Sequence, residues 1–101
     1  MMKTRADLSK ELHALIDNVY FQPPESVKLK YPCIIYSLER PDVDYADDDL
    51  YSQFNHYNLI LITQKPDSPL IDKIPRSFRF CSLDRPYVAD NLYHYSFTLY
   101  Y

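Results

Sequence analysis

Apolar and polar side chains alternate through residues 90–101. Tyr93, Tyr95, Phe97, Leu99 and Tyr101 fall on one face of a period-two strand, and His94, Ser96, Thr98 and Tyr100 fall on the other. This pattern predicts a half-buried antiparallel strand that runs to the last residue. Residues 31–38 are apolar at nearly every position and predict a central strand. Residues 50–54 and the β-branched, apolar run 57–63 predict further strands, and antiparallel pairing is expected throughout.

Helical spacing appears twice. Thr4 reads as an N-cap with Asp7 three residues on, and Leu8, Leu12, Leu15, Ile16 and Val19 form one stripe, predicting a helix to about residue 18. Pro23 and Pro24 cannot continue it, because each lacks a backbone donor and holds extended geometry. Ser68-Pro69 reads as an N-cap followed by proline at the first helical position, opening a short helix through Leu70, Ile71 and Ile74. Pro75 limits that helix to about two turns or kinks it. Residues 79–83 and 87–90 then lead into the closing strand, with Asp84-Arg85-Pro86 as the turn between them. The fold class expected is α+β: one mainly antiparallel sheet of about four or five strands with both helices on one face. The other face is left to solvent or to a second subunit, and a tyrosine-rich open face is expected.

The 101 residues make one domain, 1–101, and no linker, repeat or low-complexity stretch divides it. Eleven tyrosines suit a surface that is wet in one state and covered in another, and equally suit strands of a two-layer fold. Glycine is absent, which removes dinucleotide-binding turns, phosphate loops, nucleophile elbows and EF-hand turns, all of which need backbone conformations that glycine adopts cheaply. The net charge of −3 lacks the basic field of a duplex-binding protein. Apolar runs fall short of the ~18 residues that cross a bilayer, and residues 1–5 lead into an amphipathic segment rather than a signal core, so a soluble, unexported chain is expected. Cys33 and Cys81 each sit within a predicted strand without a metal-ligand neighbour, which favours reduced thiols over a disulfide between them.

Asp42, Asp44, Asp47, Asp48 and Asp49 place five carboxylates within eight residues. Oxygen ligands of this kind can hold a hard cation, but the spacing matches no calcium loop, and a solvated, self-repelling loop is the simpler reading. A third reading has the loop ordering against Lys or Arg of a neighbouring subunit. His13, His56 and His94 are scattered, and a Cys81–His94 nucleophilic pair would need an exposed, electropositive thiol. Lys28, Lys30, Lys65, Lys73, Arg76 and Arg79 with interleaved aromatics offer a single-strand nucleic-acid reading, although their separation suits a scattered, solubilising role. No catalytic, cofactor or metal residue is assigned, and no enzyme activity is expected.

Several local strings carry a family likeness. They are residues 19–24 (Val-Tyr-Phe-Gln-Pro-Pro), 31–36 (Tyr-Pro-Cys-Ile-Ile-Tyr), Tyr45-Ala46-Asp47, residues 65–69 (Lys-Pro-Asp-Ser-Pro) and residues 89–94 (Ala-Asp-Asn-Leu-Tyr-His). In these strings and in element order the chain resembles the tail terminator and tail completion proteins of long-tailed bacteriophages and prophages. The resemblance implies an α+β subunit of a ring, commonly a hexamer, that caps the head-proximal end of the tail tube. Such a ring stops tube elongation and offers the surface that joins the head. It further implies the tail tube protein and a head-connector protein as partners, and a virion location after assembly in the host cytoplasm. In a head-to-tail ring, Asp42, Asp44, Asp47, Asp48 and Asp49 of one subunit would meet Arg76, Arg79 and Arg85 of the next. A head-closure or connector subunit of the phage neck is the neighbouring alternative, and a small nucleic-acid-binding module the more distant one.

Overall fold

The computed structural model describes residues 4–39 and 54–101. Two helices and five strands follow in the order α1 (Arg5–Leu15), β1 (Val19–Phe21), β2 (Cys33–Glu39), β3 (His56–Thr63), α2 (Leu70–Ser77), β4 (Phe80–Ala89) and β5 (Leu92–Tyr100). The strands form one sheet in the order β1-β2-β3-β5-β4. The α+β class, the N-terminal helix and the short second helix are as the sequence predicts.

α1 begins where its chemistry dictates. The Thr4 hydroxyl accepts from the Asp7 backbone N–H at 3.2 Å, and the Asp7 carboxylate accepts from the Thr4 N–H at 3.0 Å, a reciprocal capping box. Leu8 and Leu12 are fully buried, and burial of each side chain stabilises the fold by about 1.5–3 kcal/mol. They pack with Ile34, Tyr36, Tyr57, Leu59, Leu61, Phe97, Leu99 and, from α2, Ile74. Both helices therefore cover one face of the sheet. Tyr101 closes this core. Its N–H donates to the Asn55 carbonyl at 2.8 Å, its ring meets Phe78 edge-on, and its hydroxyl donates to the Glu11 carboxylate of α1.

Four expectations need correction. α1 stops at Leu15, and Val19 belongs to a short strand that pairs parallel with β2, so the sheet is mixed. Gln22, at φ 43°, turns the chain out of β1 while its side-chain oxygen accepts from the Leu38 N–H at 3.1 Å. Asp84-Arg85-Pro86 is no turn: β4 runs through it with a bulge between Leu83 and Arg85, and the reversal falls at Asp90-Asn91, with φ of 53° and 61°. Asp and Asn tolerate the left-handed region better than other non-glycine residues, which lets a chain without glycine make this hairpin. Finally, α2 starts at Leu70 with Pro69 as N-cap, and the Ser68 hydroxyl accepts from the Leu70 N–H at 3.2 Å. Of the strand predicted over residues 50–54, Phe54 is outside any strand and the rest lies outside the described residues. No helix among the described residues is long and apolar enough to cross a membrane.

Candidate assembly surface

The sheet register sorts the strand residues between a helix-covered face and an open one. On the open face, cross-strand partners form lateral rows. One row is Cys33–Ile62–His94–Tyr87. The next spans all five strands as Tyr20–Ile35–Ile60–Ser96–Arg85. A polar row, Ser37–Asn58–Thr98–Ser82, follows, and then Glu39–His56–Tyr100–Phe80. The tyrosine-rich open face is not what the structure has. Tyr36, Tyr57, Tyr93 and Tyr95 share the helix face, and only Tyr20, Tyr87 and Tyr100 among the described strand tyrosines lie on the open one. The physical reason is that a tyrosine ring fills core volume while its hydroxyl reaches the rim, as Tyr95 does in donating to the Pro66 carbonyl at 2.8 Å.

The open face is ordered by its own side chains. His56 stacks on Tyr100 and His94 on Tyr87, each pair with ring centroids 4.8 Å apart, and Phe54 meets Phe80 at 5.3 Å. Between them, Ser96 donates to Asn58 at 3.2 Å and Thr98 donates to the Asp84 carboxylate at 2.7 Å. Each stacked ring has one face taken by its partner.

The three candidate arginines are all exposed but do not cluster. Arg76 is exposed in the last turn of α2, Arg79 is exposed just before β4 with its guanidinium 5.4 Å from the Phe80 ring centre, and Arg85 is exposed on β4, 5.4 Å from that of Tyr87. The register puts Arg85 on the open face with Phe80 and Tyr87, whereas Arg79 precedes the strand. Asp42, Asp44, Asp47, Asp48 and Asp49 lie outside the described residues.

The sequence did not disclose that β4, ten residues long, is the last strand of the sheet among the described residues, with helix-side residues that outrun the helices. Leu83 is 42% exposed and Val88 66% exposed, although both point to the helix side. The alternation of Cys81 and Leu83 carried part of the signal, but the bulge between Leu83 and Arg85 takes Val88 out of that alternation, and Pro86 suits a turn as well as an edge strand or bulge.

The cysteines are free and lie on opposite faces, Cys33 on the open side of β2 and Cys81 on the helix side of β4. Burial pushes the Cys33 thiol up to about 11, and burial together with the Asp84 carboxylate pushes Cys81 up to about 12. Tyr57 is also raised, by burial and by Tyr36, against a lowering pull from Arg5. A cleft of about 430 Å³ opens between Pro32 and residues 63–69. Its hydroxyls are committed to local structure, Thr63 donating to the Lys65 carbonyl and Ser68 accepting from Leu70. No metal-binding group of His, Cys, Asp or Glu forms among the described residues.

Comparison with protein-family models, with curated proteins and with solved structures returned no match.

Proposed function

We propose that this chain is a structural subunit of a bacteriophage tail, assembling as a ring that caps the head-proximal end of the tail tube and presents the head-joining surface. The observation that carries the reading is the β4 side of the molecule. It holds the long edge strand of the described sheet, with exposed Leu83 and Val88 on the helix side, exposed Arg85 on the open side and exposed Arg79 just before it. Natural edge strands that stay solitary are short, covered or evenly charged. Here the blunting devices, Pro86 and the Leu83/Arg85 bulge, occupy only the second half of the strand. A hexameric ring, the tail tube and head-connector proteins as partners, and a virion location follow from the resemblance to tail terminators and belong to this proposal.

The test is functional. Purified chain added to polymerising tail tubes should bind one end and shorten the length distribution. Tubes of unchanged length, with the chain bound instead to the portal complex of filled heads, would replace this reading with that of a connector subunit.

A further inference from the structure

We infer that Arg5, Tyr36 and Tyr57 form a binding site for a small oxyanion, the phosphate or carboxylate group of a ligand. Arg5 is the first residue of α1, and the two tyrosines stand on the neighbouring strands β2 and β3, where both belong to the core that Leu8 and Leu12 of α1 cover. Ring contacts connect the three. The Arg5 guanidinium carbon lies 4.3 Å from the centre of the Phe21 ring, Phe21 packs on Tyr36 with centres 4.9 Å apart, and Tyr36 meets Tyr57 at 6.1 Å. The register accounts for this order. Phe21 pairs with Tyr36 in the parallel ladder, and Tyr36, opposite Leu59, is the diagonal neighbour of Tyr57.

The polar ends of this cluster are uncommitted. Tyr36 is 1% exposed and Tyr57 2%, yet neither hydroxyl bonds to the protein among the described residues. No buried side-chain oxygen there lacks a partner, so each hydroxyl oxygen must reach the surface at the end of a ring that is otherwise in the core. Arg5 is exposed, and its guanidinium forms no ion pair or hydrogen bond among the described residues. Burial and Tyr36 hold the Tyr57 hydroxyl in its protonated, donating form, and the opposing pull of Arg5 places the cation's field on that same oxygen.

A guanidinium and two hydroxyl donors without acceptors suit an anionic oxygen. Arginine offers its N–H groups in a planar fork, and hydrogen bonds to a charged oxygen are about twice as strong as neutral ones. The N-terminus of the eleven-residue α1 adds partial positive charge beside Arg5. The carboxylate closest in sequence, Asp7, is turned to the Thr4 N–H in the capping box. Both rings are already fixed by packing, so binding has only the Arg5 side chain to order.

Titration of the full chain with inorganic phosphate, and separately with acetate, at constant ionic strength and neutral pH tests the site. NMR should show saturable shifts of the Arg5 Nε–H and of the Tyr36 and Tyr57 ring signals. Tighter saturation by phosphate assigns a phosphate group, and tighter saturation by acetate a carboxylate. Arg5→Gln should weaken binding at least about tenfold, and Y36F/Y57F at least about threefold, because the rings stay and only the hydroxyls go. Arg5→Lys should fall between the unaltered and Arg5→Gln chains, since it keeps the charge and loses the fork. Arg5 is exposed, so Arg5→Gln keeps the fold and decides the matter even where the double tyrosine variant does not fold. No saturable shift from either ion, or an affinity that Arg5→Gln leaves unchanged, overturns the site.

Discussion

Cys81 and His94 lie on opposite faces of the sheet, Cys81 paired with Leu99 and His94 with Tyr87. The pair that would have made a cysteine nucleophile is separated by the sheet itself. With its thiol pushed up from 9.0 to about 12, Cys81 holds roughly a thousandth of the thiolate of an ordinary cysteine at neutral pH. Alkylation of both thiols at pH 7 should be slow in the native chain and become rapid in denaturant. Fast labelling of Cys81 in the folded protein would contradict this arrangement.

The same thiols set an alkaline limit on stability. Their folded values lie above the unfolded one, so the neutral form is favoured by folding. The contribution is complete below about pH 9 and is lost as pH rises toward 11 for Cys33 and 12 for Cys81. Urea midpoints should therefore fall between pH 9 and 11, and a C33A chain should lose part of that dependence. An identical slope in both chains would assign the effect to other groups.

The capping box at α1 makes a local claim. Thr4→Ala removes the acceptor for the Asp7 N–H and should cost about 1 kcal/mol, read from the chemical-denaturation midpoint, with the same slope as the parent. Thr4→Ser should retain most of the stability.

The β4–β5 reversal rests on two residues in the left-handed region. Asn91→Val should destabilise by about 1–2 kcal/mol, whereas Asn91→Gly should stay within about 0.5 kcal/mol of the parent. Equal costs for the two would mean that the turn relaxes rather than holding its geometry.

Much of the fold was legible because burial imposes a strict period. The alternation of Tyr93, Tyr95, Phe97 and Leu99 is the register of β5 against β3, and the stripe Leu8, Leu12 is the buried face of α1. What misled was local chemistry with two uses. Pro86 suits a turn and an edge bulge alike, and Val19 continues a helical stripe while also starting a three-residue strand. Of the candidate site, Arg76, Arg79 and Arg85 were legible as cations but not in their placement, since only the continuity of β4 through Asp84 puts Arg85 within a strand.

Charge reversal at Asp47 and Asp48, in the acidic stretch of residues 42–49, should weaken assembly of the chain, read as loss of assembled mass by light scattering. Its effect should grow at low salt, where screening is weakest. Normal rings from D47K/D48K at low salt would remove these two residues from the interface.

The central claim is that the chain assembles with itself. The most direct measurement is its solution mass by light scattering across a concentration series at low and high salt. The account predicts a discrete species near six times the 12.1 kDa chain mass, weakened by salt. A 12.1 kDa monomer at every concentration and salt would contradict it.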